Sequence, residues 1–254
     1  MKITFLGTGT STGVPQIKCN CEVCRSSDPR DHRLRSSVLV ETPHANLLID
    51  CGPDFREQIL SAGSPDLDAL LVTHSHYDHV GGIDDLRPYC YTLNGFPIYS
   101  KHDVVEDLRT RMPYCFLDNP YPGIPTFKIN EIDPATPFHI NGLEVTPLPV
   151  LHLRLPILGY RIGDNMAYVT DCKLMPASTI ALIHGIDTLV INSLRIKDHP
   201  SHMNLEQTLE LIERIAPRRA YLTHLSHDMG LHAAVDPVLP QGVSIAYDGL
   251  TLTL

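Results

Sequence analysis

The amino-acid sequence predicts an α/β fold whose core is two mixed β-sheets covered by helices. Three observations lead there. Short β-rich runs recur along the whole chain, helical periodicity is confined to a few segments, and two tight turns, Asn141-Gly142 and Asp164-Asn165, join neighbouring runs as hairpins. Hairpins require antiparallel neighbours, so a purely parallel doubly wound sheet is excluded.

The expected strands, in order, are Lys2–Leu6, Ser37–Glu41, Asn46–Asp50, Leu67–Val72, Pro97–Ser100, Leu143–Thr146, Leu158–Ile162, Met166–Thr170, Thr188–Asn192, Ala220–Thr223 and Val243–Tyr247. Their Val, Ile, Thr and Tyr content suits a pleated, half-buried surface. Helices are expected over Asp54–Ala62, ended by Gly63; in a segment opened by the capping-box pattern Ser100-Lys-His-Asp103; briefly after Pro176; and over Asn204–Ile215. In the last of these Leu205, Leu209, Ile212 and Ile215 recur at helical spacing and read as core. Met112–Pro125 carries four prolines and reads as an irregular loop placed to act as a lid. No linker, low-complexity run or repeat divides the chain, so one domain over 1–254 is expected.

Composition narrows the function classes. With 43% hydrophobic and 19% charged residues the chain can build a core, and disorder is not expected. A net charge of -9 disfavours a broad nucleic-acid footprint but remains compatible with a small anionic substrate held by bound cations. The opening Met1-Lys-Ile-Thr-Phe-Leu-Gly7 is interrupted too soon for a signal peptide, and no apolar run approaches the roughly 20 residues of a membrane span. A cytoplasmic protein with no membrane partner is expected. Seven cysteines are an odd number, and three fall within Cys19-Asn-Cys21-Glu-Val-Cys24, which favours thiolate metal binding over a disulfide framework. Cys51, Cys90, Cys115 and Cys172 are scattered and read as small buried residues.

The chemistry concentrates in His74-Ser-His76-Tyr-Asp78-His79, which directly follows an apolar run. Three imidazoles and a carboxylate are more donors than one closed tetrahedral ion takes from so short a loop, so two neighbouring divalent ions are inferred. His152, Asp171 and His224 each follow a strand-like run, where loops at one end of a sheet can converge. A lone His after a strand is more often a hydrogen-bonded core or surface residue than a ligand.

Taken together, His74-x-His76-x-Asp78-His79, His152, Asp171 and His224 resemble the metallo-β-lactamase-fold hydrolases in ligand type and order over nearly the whole chain. The resemblance implies a four-layer αββα sandwich. It also implies one ion on His74, His76 and His152, a second on Asp78, His79 and His224, and Asp171 bridging both, with Asp50 supporting a His ligand or its loop. Class B lactamases place Cys where Asp171 stands; here Cys172 is one residue late and strand alternation points it the other way. Di-iron oxygen-reducing relatives replace the second His by a carboxylate, whereas this chain keeps His76, so a hydrolytic centre is favoured.

Leu6-Gly-Thr-Gly-Thr-Ser-Thr-Gly-Val-Pro15 and Leu222-Thr-His-Leu-Ser-His227 resemble the phosphodiesterase branch that includes transfer-RNA 3' processing nucleases and, more closely, PhnP-type phosphoribosyl 1,2-cyclic phosphate phosphodiesterases. That likeness implies one structural zinc on Cys19, Cys21, Cys24 and His227, with His32 the alternative fourth ligand. It implies two divalent ions, zinc or manganese, whose shared hydroxide attacks a small cyclic ribose phosphodiester, with Asp78 orienting the attack. His202 resembles the family's catalytic His and is the expected acid for the leaving alkoxide; its rival His199 reads rather as bracketing a helix start. Backbone N–H groups of Gly7–Gly13, Arg154 and Arg195 could meet the phosphate, although such features are usually structural. Tyr114 and Tyr121 could shape the pocket. The alternatives are thioester hydrolysis of glyoxalase II type, RNA processing, and a metal-dependent binding module without turnover. Oligomeric state is unset by the sequence, and a homodimer is compatible with it.

Overall fold

Apolar residues alternate between two burial environments along most strands, and that alternation builds the layers. In the computed structural model, which describes residues 1–91, 95–117 and 123–254, the strands are β1 (Lys2–Gly7), β2 (Ser37–Glu41), β3 (Asn46–Ile49), β4 (Ala69–Leu71), β5 (Phe96–Ser100), β6 (Phe127–Glu131), β7 (Phe138–Ile140), β8 (Leu143–His152), β9 (Leu155–Ile162), β10 (Met166–Val169), β11 (Thr188–Asn192), β12 (Arg219–Thr223), β13 (Val243–Ile245) and β14 (Thr251–Thr253). Ile3, Phe5, Leu47, Ile49 and Leu71 of one sheet meet Leu158, Tyr160, Met166, Tyr168 and Val190 of the other in a central core. The intervening residues face outward. Leu48 and Leu70 pack on Phe55, Ile59, Val104 and Leu108, from helices Phe55–Ser61 and His102–Arg111. Ala167, Leu189 and Leu222 pack on Ile180, Ile183, Leu211 and Ile215, from helices Ala177–Ile183 and Leu205–Ile215. The result is the expected αββα sandwich. Strands buried on both faces read as near-continuous apolar runs, as β3, β4 and β11 do. Truncating a fully buried residue such as Leu71 or Ile191 to Ala would cost about 2–5 kcal/mol.

The first sheet has the order β14-β1-β2-β3-β4-β5-β6 and the second β13-β12-β11-β10-β9-β8-β7. Each is antiparallel through three successive pairings and parallel through the other three, the change falling at β3 and at β10. The carboxyl ends of β3 and β4 therefore share one rim of the first sheet, and those of β8, β10 and β12 share one rim of the second. The site lies where these rims meet.

Several local expectations are corrected. Ser100 belongs to β5 and donates its hydroxyl to the Val72 carbonyl, so it caps nothing; the helix begins at His102 without a side-chain cap. The last long helix is capped as its sequence suggests, since Asn204 Oδ1 accepts from Gln207 N and Gln207 Oε1 accepts from Asn204 N. β8 runs six residues beyond Thr146 despite Pro147 and Pro149. β7 pairs only with residues 143–145 of β8, so both prolines face an edge where a missing N–H breaks no ladder bond. β6, β7 and β14 are outermost or nearly so, short, and mixed in polarity, which hid them in the sequence. In the proline-bearing segment, Pro113–Phe116 forms a 3-10 turn and Tyr114 donates its hydroxyl to Asp84 Oδ1 at 2.6 Å. Residues 118–122, Tyr121 among them, lie outside the described residues, and with them the middle of the expected lid. Among the described residues no helix is long and apolar enough to cross a membrane.

Candidate active site

The donors at the meeting of the rims are delivered by strand endings, and His76, Asp78 and His79 by the short helix Tyr77–Val80 and its cap that follow His74. β3 leads to Asp50, β4 to His74, β8 ends on His152, β10 leads to Asp171 and β12 to His224. Asp50, Asp171 and His224 all take left-handed backbone, with φ of 62°, 55° and 56°. Such conformations cost of the order of 1–3 kcal/mol each and persist where the surroundings over-determine them. They turn the chain sharply off the strand, so the side chain drops back over the sheet end.

The second bonds of the imidazoles set their tautomers. His79 Nδ1 donates to Asp50 Oδ2 at 2.7 Å, and His152 Nδ1 donates to the Ser201 carbonyl at 2.9 Å. Thr73 Oγ1 spends its proton on Asp50 Oδ2, so it accepts from His74 Nδ1 at 3.0 Å. Ser36 Oγ likewise donates to the Gly9 carbonyl and accepts from His224 Nδ1 at 3.2 Å. Each of the four rings thus holds a proton on Nδ1 and turns Nε2 toward the cluster, where it is a lone-pair donor whenever the ring is neutral. Asp50 is the keystone, fully buried and accepting from Thr73 N, Thr73 Oγ1 and His79; burial pushes its carboxyl upward against those three donors.

Donor atoms then crowd together. His74, His76 and His152 form one group within 4.8 Å, Asp78, His79 and His224 another, and Asp171 joins His74 and His79 in a third. Asp171 Oδ2 lies 3.2 Å from His79 Nε2, and its Oδ1 3.3 Å from His224 Nε2. All seven residues expected as active-site ligands are thus brought together. Two details fit cations. His74 Nε2 and His76 Nδ1 face each other at 3.0 Å, two ring nitrogens that need a shared cation or proton between them. His79 Nε2 is buried, faces Asp78 and Asp171 at 3.2 Å, and has no hydrogen bond among the described residues. The electrostatics agree. Burial and the neighbouring His79 push His74 well below the usual histidine range, and burial lowers His224 too. Burial works against a charged His79, yet Asp171, Asp50 and Asp78 outweigh it and hold its imidazole well above that range. A divalent ion among the same carboxylates would replace that proton.

His202 stands against this cluster, with Nδ1 3.6 Å from Asp171 Oδ1 and its ring centroid 4.6 Å from that of His152. His199 lies farther back, accepting at Nδ1 from Ser201 N; it does not cap the following helix, which Asn204 does. In the Gly7–Gly13 loop the N–H groups of Thr8, Gly9, Thr10 and Gly13 already bond within the protein, which leaves those of Ser11 and Thr12 on its exposed turn. Its contribution is the Thr10 hydroxyl, 3.2 Å from His224 Nε2. Arg195 donates to the Lys197 and Asp198 carbonyls and so serves its own loop, while Arg154 is exposed on the turn after His152. Thr73, Ser36 and the Ser201 carbonyl escaped the sequence reading. Only Thr73, adjacent to His74, carried any signal.

A second cluster gathers Cys19, Cys21, Cys24 and His227 within 4.8 Å, with His227 Nδ1 3.3 Å from Cys21 Sγ and 3.6 Å from Cys19 Sγ. Gln16 N donates to Cys24 Sγ and Cys24 N to Cys21 Sγ, the pattern that stabilises thiolates. His227 and not His32 belongs to this group; His32 Nε2 bonds the Ser26 carbonyl instead. The remaining four cysteines are buried, and Cys172 points into the helix-side core, away from Asp171.

Sandwich and donor cluster together define a metal-dependent hydrolase of the metallo-β-lactamase fold. Residues 45–225 match the family model described as beta-lactamase superfamily domain. A solved structure described as a new diphosphatase from the PhnP family is 37% identical, covers 99% of this chain and 96% of its own, and superposes with a TM-score of 0.91. The chain belongs to the PhnP family of that superfamily. A Porphyromonas gingivalis (strain W83) protein named octanoyltransferase is 46% identical over 98% of this chain, which spans about half (51%) of that relative's length. Zinc-bound PqqB from Methylobacterium extorquens, 22% identical with a TM-score of 0.80 and full coverage of both chains, shares the fold.

Proposed function

We propose that this chain is a metal-dependent phosphodiesterase that hydrolyses a small cyclic ribose phosphodiester. The observation that carries the reading is the overlap of His and Asp donor groups around Asp171, in a chain of the PhnP family. His74, His76 and His152 would hold one ion, Asp78, His79 and His224 the other, with Asp171 shared; Cys19, Cys21, Cys24 and His227 would hold a structural zinc. Two divalent ions bound there supply Lewis-acid charge for the phosphate and lower the pKa of water from 15.7 to about 7.

The side chains do the rest. Burial disfavours a charged Asp78, but His79 and His224 outweigh it and hold its carboxyl below the usual range. So acidic a group is a poor base; Asp78 orients the attacking water by accepting its hydrogen bond. His202 is the group placed to protonate the leaving alkoxide. Burial, then the neighbouring His224, push it down to about 3, so it rests uncharged at neutral pH. An arriving phosphodiester anion acts in the opposite direction and raises it, which couples protonation of His202 to substrate binding.

The PhnP-family relative described as a diphosphatase favours a second reading, hydrolysis of a diphosphate linkage, which needs the same attack at phosphorus with phosphate leaving. The octanoyltransferase relative has about as much sequence again outside the match, so its named activity is not carried over. The test is turnover of metal-reconstituted protein on bis(p-nitrophenyl) phosphate, p-nitrophenyl phosphate, a diphosphate diester and a thioester. Hydrolysis of the diester with little of the monoester supports the proposal. Preference for the diphosphate moves it to the second reading, and thioester turnover or silence on all four overturns both.

A further inference from the structure

Lys173 sits two residues past Asp171, and its ammonium is enclosed by acceptors from the loop that carries His202. Nζ lies 2.7 Å from the His199 carbonyl, 3.2 Å from the His202 carbonyl, 2.9 Å from Gln207 Oε1 and 3.2 Å from Asp198 Oδ1. Three ammonium protons thus serve four acceptors, two of them carbonyls that bracket Pro200 and Ser201. The anchor on the far side is itself fixed. Gln207 is the partner of Asn204 in the helix cap, and its Nε2 donates to Asp198 Oδ1 at 3.2 Å. Met203 N reaches back to the Cys172 carbonyl at 3.2 Å, so the segment just after Asp171 holds the loop at two adjacent residues. An exposed Lys–Asp pair alone would contribute little. Here the side chain is only 23% exposed, and charge-assisted bonds to backbone carbonyls define the shape of the loop.

We propose that Lys173 is a positioning residue, pinning residues 198–203 so that the His202 ring faces Asp171 and His152. It acts through the loop and not on the substrate. The consequence for turnover rests on the reading of His202 as the acid for the leaving alkoxide.

The experiment compares Lys173→Met with the parent, both metal-reconstituted, on two diesters. A ribose 1,2-cyclic phosphate expels an alkoxide that needs a proton, whereas bis(p-nitrophenyl) phosphate expels a phenolate that does not. The expected result is a kcat on the cyclic diester lower by roughly 10- to 100-fold with KM little changed, and a much smaller loss on the aryl diester. Metal content stays the same, amide exchange over 198–203 accelerates, and Lys173→Arg recovers most of the turnover. Equal loss on both diesters, no loss on either, or unchanged exchange would overturn the proposal. Should Lys173→Met fail to accumulate, Lys173→Gln, which keeps a donor without the charge, carries the same comparison. His202→Ala separates the two ideas. If it lacks the leaving-group selectivity, the acid assignment fails, and amide exchange in Lys173→Met still decides whether the loop is pinned.

Discussion

The two donor clusters lie three residues apart at His224 and His227 yet are built in different ways. Around Asp171 the donors come from four strand endings, the one after β4 supplying His74, His76, Asp78 and His79 and those of β8, β10 and β12 supplying one each; most are buried, and four imidazoles are held from behind by Asp50, Thr73, Ser36 and Ser201. The fold alone puts them within reach of one another, and the exposed His76 leaves one side accessible. In the cysteine cluster three donors come from one six-residue stretch, are partly exposed, and are supported mainly by backbone N–H groups. A site organised by the fold can keep room for substrate, whereas a locally organised thiolate set closes on its ion and draws its order from it. Between the two histidines, Leu225 donates to the Thr8 carbonyl and accepts from Thr10 N, which fixes the segment that carries both.

Breaking the first cluster has the largest effect. Asp171→Ala should reduce diester turnover to background and lower bound metal at the active site, measured by kinetics and elemental analysis; an active variant with full metal would remove Asp171 as the shared ligand. His202→Ala should lower turnover on the alkoxide-leaving substrate by about 10²–10⁴-fold while metal content holds. Asp50→Asn keeps the shape but weakens the hold on His79, and a loss of roughly 10- to 100-fold in metal affinity or turnover is expected. Cys21→Ser tests the other side of the comparison. It should lower the melting temperature more than it lowers turnover, each kcal/mol lost shifting Tm by about 2–4 °C in a chain of this size. A variant that melts normally but is inactive would reverse the assignments.

The smallest effect is a pH dependence of zinc uptake at the cysteine cluster. The Cys24 N–H helps bring the Cys21 thiol down to about 6, while burial pushes Cys24 up to about 11. Between those values Cys21 is already a thiolate and Cys24 still a thiol, so zinc must displace the Cys24 proton. Affinity should therefore rise with pH across that window, about tenfold per unit for each proton released, and fall more steeply below about 6. Zinc titrations at several pH values read the slope directly, and a flat profile would exclude Cys24 from the ligand set.

Much of this was legible in the sequence because strand endings and ligand types are local signals. His74 to His79 sits behind an apolar strand, and Asp171 follows Met166–Val169 in the same way. What stayed hidden depends on long-range convergence. Ser36 meets His224 across 188 residues of chain and Lys173 meets the 198–203 loop only once β10 and β11 pair in the second sheet, so neither carries a motif. Ser100 misled because a capping pattern and a strand terminus share the same residues, and packing of β5 decided between them. The edge strands β6, β7 and β14 lack the two-sided burial that made the inner strands readable.

The most direct test of the central claim is anomalous diffraction from crystals loaded with zinc, with data on both sides of the metal absorption edge. Two peaks flanking Asp171 and a third among Cys19, Cys21, Cys24 and His227 are predicted. A single peak near Asp171, or peaks ligated by other residues, would contradict the two-ion centre.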